Sequence, residues 1–297
     1  VEVVNKPQYT SEMVETGTGV QLRTIHWGDP KLLTNVPLML VHGLASNALL
    51  WEGAAHAFNA LGHPIVAIDL RGHGLSDKPD TGYDMHSVTA DLAGTLEQLA
   101  LQGFSRPVLC GQSWGGNVVI ELAYQFPSLV RGVVAVDGGF LELQQHFPKW
   151  EECAVALRPP PLIGTPAKQM RAYMERAHPD WPQTGIDGAM ANMEHLADGT
   201  IRPWLTLDRH LTVLRGLWEH QPTRIYTDIT VPVLFVPAEG PSGVFADTKR
   251  HAVEQALALV PRARVEWFSP ADHDLHAQYP DRFAQVVHDA VKDGFFA

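Results

Sequence analysis

The sequence predicts an α/β fold: a mostly parallel, eight-stranded sheet covered by helices on both faces, interrupted by one mainly helical insertion. Three observations predict it. Short apolar runs, of the kind found in strands buried on both faces, alternate with amphipathic stretches of helical period. Several of these runs stop at glycine-containing turns, as in His42-Gly43, Asp69-Leu70-Arg71-Gly72 and Gly111-Gln112-Ser113-Trp114-Gly115. Between residues 140 and 227 the strand-like runs disappear, and Pro, Met and Trp become frequent with helical spacing between them.

The elements follow in order. Glu12–Glu15 and Val20–Trp27 read as two strands joined by Gly17-Thr18-Gly19, and Gly28-Asp29-Pro30 ends the second. Val36–Val41 is a near-continuous apolar strand ending in His42-Gly43-Leu44. Leu49–Leu61 reads as a helix with Gly62 as its stop, and Pro64–Ile68 as the next buried strand. His86–Leu101 has helical period, with Ser87 as candidate N-cap and Gly103 as stop. Val108 opens a further strand, and a helix runs from Asn117 to Phe126. Val130–Val136 is a strand ending in Asp137-Gly138-Gly139. After the insertion come strand Val231–Val236, helix Ala246–Val260, strand Arg264–Phe268 and terminal helix Pro280–Val291. Residues 1–139 and 228–297 thus form the core, and residues 140–227 are expected to form a lid rather than a separate domain. There is no internal repeat.

Composition narrows the function classes. A chain of 297 residues can bury a substantial core. A formal charge of −11 argues against a nucleic-acid partner and against an anionic membrane surface. No apolar stretch approaches the length of a membrane span. The first residues lack a basic region followed by an apolar block, so no signal peptide is expected and a cytoplasmic location is the default. Two cysteines, Cys110 and Cys153, do not imply a disulfide framework. A homo-oligomer is left open.

The stretch Val108–Gly116 concentrates the chemistry. An apolar strand runs into Gly111-x-Ser113-x-Gly115, and a helix follows at once. A strand-to-helix turn this sharp crowds its flanks, and glycines at 111 and 115 remove the Cβ atoms that would clash. Ser113 is then held at the tip, beside the N-terminal amides of the helix, where an oxygen that becomes negative is stabilised. Such a motif alone is weak, because a glycine-rich turn with an inert serine has the same spelling.

Its context is more specific. His42-Gly43, Asp69-Leu70-Arg71-Gly72-His73-Gly74-Leu75-Ser76-Asp77, Gly111-Gln112-Ser113-Trp114-Gly115-Gly116 and Asp272-His273 stand in an order that resembles the α/β-hydrolase fold superfamily over nearly the whole chain. The resemblance is to its serine branch with a helical lid, which includes carboxylesterases and lactonases. It implies a nucleophile, Ser113, a base, His273, and an acid lying between them in the chain. A serine hydroxyl needs that base within reach, and the base needs an orienting group. His273 is favoured over His276 because its spacing from the last strand and from Pro280 fits the family.

The acid departs from the family's common pattern. The usual position falls near Pro241 or Ser242, where no carboxylate stands. Asp137, at the end of the strand after the Ser113 turn, is preferred, as in a minority of the family. Glu239 is the alternative, and Asp247 a more distant one. The resemblance also implies an oxyanion hole from the backbone amides of Trp114 and Leu44. His42 is expected to brace its loop, and Asp69, Arg71 and Asp77 to hold loops together. No cofactor and no metal are expected.

The insertion supplies Phe147, Trp150, Met170, Tyr173, Met174, Trp181, Met190, Met193, Trp204 and Trp218, with Trp and Met in excess. Packing is the ordinary role for each. As a set they suit an adaptable apolar pocket, and Trp150, Met170, Tyr173, Met174, Trp181, Met190 and Trp218 are the candidate substrate-binding residues. The expected activity is hydrolysis of a carboxylic ester or lactone of a bulky, largely apolar or aromatic substrate through an acyl-enzyme. The alternatives are carbon–carbon bond hydrolysis, other chemistry of lid-bearing relatives, and a non-catalytic small-molecule receptor. Serine rather than aspartate at the turn argues against dehalogenase or epoxide hydrolase chemistry.

Overall fold

The computed structural model describes residues 9–28, 35–240 and 244–297, residues 244–246 by their backbone alone. The expected strand stop at Asp29-Pro30 and the Pro241-Ser242 position lie outside the described residues.

The first half runs β1 (Tyr9–Glu15), β2 (Gln21–Trp27), β3 (Leu38–Val41), α1 (Glu52–Ala60), β4 (Ile65–Ile68), α2 (Met85–Leu101), β5 (Val108–Gln112), α3 (Trp114–Gln125) and β6 (Gly132–Val136). The insertion holds α4 (Trp150–Ala156), β7 (Thr165–Pro166), α5 (Ala167–Ala177), α6 (Gln183–Met190), β8 (Met193–His195), β9 (Thr200–Pro203) and α7 (Leu207–Glu219). The chain closes with β10 (Val233–Val236), α8 (Val244–Leu259), β11 (Ala263–Val265), α9 (Leu275–Gln278) and α10 (Pro280–Lys292).

Eight strands form one sheet in the order β1-β2-β4-β3-β5-β6-β10-β11. β1 and β2 are antiparallel to their neighbours, and the remaining pairs are parallel. Every residue of β3, β4, β5, β6 and β10 is buried, which is why these segments read as unbroken apolar runs. One large apolar cluster includes Leu92 and Leu96 of α2 and Val118 and Leu122 of α3. A second includes Trp51, Phe58 of α1 and Phe283 and Val287 of α10. The sheet alternates its side chains between these two clusters, with Leu109 of β5 in the first and Cys110 in the second. No helix among the described residues is long and apolar enough to cross a membrane.

Four local readings change. α2 is capped by Asp84 rather than Ser87: the Asp84 carboxylate accepts from the Ser87 amide at 2.9 Å and from its hydroxyl at 2.8 Å. A carboxylate three residues earlier thus caps the helix at Ser87's own amide, so the helix starts before the serine and Ser87 lies inside its first turn. β1 begins earlier, at Tyr9, because its full length pairs with β2 although most of it is exposed. β11 stops at Val265, and Phe268 joins the sheet only through a single bridge to Ala238. The insertion also contains an antiparallel sheet, β7-β9-β8. Its strands are two to four residues long, too short to leave a period in the sequence.

Candidate active site

The sheet brings three loops together at the ends of β3, β5 and β6. Ser113 sits between β5 and α3 at φ 54°, ψ −120°. A residue bearing a Cβ costs about 1–3 kcal/mol in such a backbone region, so packing must hold it there. The packing is visible at the glycines. A Cβ on Gly111 would lie 2.2 Å from the Gly115 carbonyl oxygen, and one on Gly115 would lie 2.4 Å from that of His42. A Cβ on Gly138 would lie 2.1 Å from the Ser113 carbonyl oxygen. The Asp137-Gly138-Gly139 turn therefore lies directly against the Ser113 turn, and the glycines are required by that approach. Four non-glycine residues with positive φ occur among the described residues, and three of them, Ala45, Ser113 and Asp137, belong to these loops.

His273 arrives from the loop after β11. Its Nδ1–H donates to Asp137 Oδ2 at 2.6 Å, across 136 residues of sequence. Gln112, next to Ser113, donates from Nε2 to the His273 carbonyl at 3.4 Å. The His273 side chain is 53% exposed while Asp137 is 2% exposed, so the acid is sheltered and the ring keeps an open face. Burial by itself would lower the His273 pKa; the hydrogen bond and charge of Asp137 outweigh it and raise the ring above its ordinary value. For Asp137, burial works toward a higher pKa, but the hydrogen bond and charge of His273, joined by Lys249, hold the carboxyl below its ordinary range.

Of the candidate acids, only Asp137 meets His273. The Glu239 carboxylate is taken by Arg250. Asp247 is exposed in the first turn of α8. His276 is buried against Trp51, with ring centroids 3.9 Å apart, and neither ring nitrogen has a hydrogen-bond partner among the described residues.

Trp114 opens α3, so its amide has no acceptor within the helix. Gly43, just before Leu44, packs so closely that a Cβ there would lie 3.1 Å from Ser113 Cβ. Leu44 thus follows a residue in contact with the Ser113 turn. His42 braces this loop: its Nδ1–H donates to the Gly43 carbonyl at 2.7 Å, and its Nε2 accepts the Leu70 amide at 3.0 Å. His73 does the same one layer away, accepting the Ala45 amide at 3.2 Å and stacking on Trp114. Burial lowers the pKa of both rings, which suits nitrogens that must accept. Asp69 takes the amides of Ala48 and Leu75, Arg71 pairs with Asp91, and Asp77 takes the amide of Gln21.

The aromatic and methionine residues of the insertion divide. Trp181, Ile186 and Leu50 form a small apolar cluster against which Met174 packs, and Met190 is also buried. Trp150 and Trp218 pack edge to face with Arg215 over both rings. Tyr173 is 56% exposed and Met170 half-buried. A cavity of about 1080 Å³ beside the Ala45–Ser46 loop is lined by Met193 and Trp204 instead, and by none of the seven preferred residues. Composition marks which residues are available for a pocket, but only packing decides which of them face it.

Sequence reasoning missed Lys249, and it read Asp272 only as part of the Asp272-His273 motif, without its contacts. Lys249 of α8 donates to both oxygens of Asp137 and to the Ala238 carbonyl. Asp272 ties the His273 loop to the insertion, accepting from Trp181 Nε1 at 3.2 Å while its own amide donates to Gln278 Oε1 at 2.7 Å. The Lys249–Asp137 and Trp181–Asp272 contacts leave no local signal, because the partners lie 112 and 91 residues apart in the chain. Among the described residues no group of three His, Cys, Asp or Glu side chains is placed to hold a metal ion.

A sharp turn carrying serine, a carboxylate-bound histidine and a helix N-terminus beside them define a hydrolase-type site on a doubly covered sheet. The chain belongs to the alpha/beta hydrolase family, which it matches over residues 38–286. It is 30% identical over 233 residues to a 2-(acetamidomethylene)succinate hydrolase of Mesorhizobium japonicum, covering 76% of this chain and 81% of that protein. A crystal structure of E-2-(acetamidomethylene)succinate hydrolase superposes with TM-score 0.75 at 25% identity, covering 96% of this chain and 99% of the other. A putative aryl esterase from Burkholderia cenocepacia superposes with TM-score 0.71 at 26% identity, covering 96% and 98%.

Proposed function

We propose that the protein is a serine hydrolase that cleaves a carboxylic ester or lactone with a bulky, largely apolar or aromatic body. The observation that carries this reading is the 2.6 Å hydrogen bond from His273 Nδ1 to Asp137, made beside the turn that holds Ser113. With the Nδ1 proton committed to Asp137, the neutral ring presents Nε2 as a base. Nε2 takes the Ser113 proton as the hydroxyl oxygen attacks the carbonyl carbon. The negative oxygen rests on the amides of Trp114 and Leu44. His273 then returns the proton to the leaving alkoxide, and an acyl-enzyme remains. Water, deprotonated by His273, attacks the acyl carbon and releases the acid and Ser113. The likeness to a putative aryl esterase supports an aromatic ester. Two buried cysteines without a disulfide, Cys110 and Cys153, suit the reducing conditions of the cytoplasm.

One observation favours a second reading, hydrolysis of an amide or carbon–carbon bond: the similarity to a hydrolase named for an acetamidomethylene substrate. The same three residues serve either bond. Intact-mass spectrometry after incubation with aryl esters, lactones, N-acyl enamines and a ring-fission dienoate tests the reading. An acyl adduct on Ser113 from the ester or lactone is the expected result. Turnover of only the amide or dienoate moves the protein to the second reading. Failure to react with a fluorophosphonate probe removes the nucleophile and leaves a binding protein.

A further inference from the structure

The cavity beside the Ala45–Ser46 loop has a charge pattern opposite to that of the whole chain. The protein has 22 Lys and Arg against 33 Asp and Glu. The cavity is lined by Lys78, Arg158, Arg202 and Arg209, with Glu194 as its one carboxylate residue. Glu194 is already paired with Arg202. Arg209 pairs with Asp80 at 2.9 Å, but Asp80 is 96% exposed, so water and salt screen that pair.

Arg158 is exposed, and its guanidinium has no ion pair among the described residues; Lys78 is half-buried and keeps a donor to spare. Its ammonium donates to the carbonyls of Gly74 at 2.7 Å and Ser76 at 2.8 Å, two of the three bonds it can make. It also lies 5.3 Å from the centre of the Trp204 ring. Asp69, Asp77 and Glu194 act on it from a distance, but none forms an ion pair with it among the described residues. The remaining wall is largely apolar, with Leu162, Trp204 and Leu205 prominent, and its other polar groups are Ser46, Asn192, Thr206 and the imidazoles of His73 and His210.

We propose that this cavity binds an amphipathic anion, whose alkyl or aromatic body lies along Leu162 and Trp204 and whose carboxylate is met by Lys78 and Arg209. Lys78 belongs to the loop after β4 and Arg209 to α7, so the bound anion would bridge the core and the insertion. Ala45 and Ser46 continue directly from Leu44, which puts one wall next to the proposed oxyanion loop. As the distal end of a substrate, the anion rests on the hydrolase reading; as a binding site, it does not.

Phenylbutyrate and phenylbutanol share a body and differ in the carboxylate. Their binding to the full-length Ser113→Ala protein, read by tryptophan fluorescence, needs no turnover. The expected result is a preference of about tenfold for phenylbutyrate, weakening with salt. The Lys78→Gln/Arg209→Gln double variant should lose that preference while binding phenylbutanol as before, and Trp204→Leu should remove most of the fluorescence change. Equal affinities in the unsubstituted cavity, or a preference that survives the double substitution, overturns the proposal. A double variant that binds neither compound is replaced by Lys78→Arg, which should keep the preference if charge is what matters, and whose loss of it also overturns the proposal. Turnover distinguishes the two readings: anion binding as described without cleavage of any ester sinks the hydrolase reading alone. Ester cleavage without anion preference sinks the cavity proposal alone.

Discussion

Lys249 Nζ lies 2.8 Å and 2.9 Å from the two carboxylate oxygens of Asp137, the residue that also holds His273. The acid is therefore shared between a cation and an imidazole. Lys249 opposes protonation of His273, whereas Asp137 favours it. Lys249→Met should move the acid limb of the kcat/KM profile to higher pH, by about one unit or less. An unmoved limb would show that Lys249 only supports α8.

The unsubstituted enzyme should itself show an acid limb above the ordinary histidine value of 6.5, because the pKa of His273 is raised and only the neutral ring accepts the serine proton. A kcat/KM profile that stays flat well below that value contradicts a histidine base.

Asp137→Asn should lower kcat by about 10⁴-fold, since the amide no longer fixes the ring or stabilises its charge. Glu239→Gln, which disturbs only the pairing with Arg250, should change kcat less than about twofold. Steady-state kinetics with an aryl ester compares the two, and a reversed order would return the acid to Glu239.

Two substitutions at Ser113 separate chemistry from strain. Ser113→Ala keeps a Cβ at φ 54°, so turnover should vanish with the melting temperature nearly unchanged. Ser113→Gly should also be inactive but more stable, by about 1 kcal/mol, because glycine tolerates this backbone region. Calorimetry of the pair reads the difference, and equal melting temperatures would mean that the turn stores no strain.

His276 makes acid costly to the fold. Burial pushes its pKa down to about 3 from 6.5, with the charge of His273 adding. As the pH falls below 6.5 the unfolded chain takes up this proton first, so native stability declines from there toward pH 3. His276→Phe should remove that slope, on the order of 1 kcal/mol per pH unit, while filling the place against Trp51. Denaturant titrations at pH 7 and pH 5 measure it, and an unchanged difference between them rules the explanation out.

Much of this was legible before any coordinates. The strands buried on both faces announced themselves as apolar runs, because a parallel sheet covered on each side allows no polar alternation. The Ser113 turn was legible because its glycines answer to a local steric demand. The choice of Asp137 was partly legible, from its place at a strand end beside two glycines. Which insertion residues line the cavity beside the Ala45–Ser46 loop was not. Trp181 and Met174 have the composition of a pocket, yet Trp181 packs on Leu50 and ties down Asp272, and Met174 packs against the same cluster.

The chain's own order of residues determined the buried strands and the tight serine turn, since each depends on neighbours within a few positions, while His273 was singled out by the family resemblance. Only the folded molecule decided which carboxylate reaches that histidine, that a lysine 112 residues beyond Asp137 shares it, and which insertion residues line the cavity. The physical reason is that hydrogen bonds and ion pairs act over a few ångströms of space. Separation along the chain carries no trace of that proximity until the sheet brings the loops together.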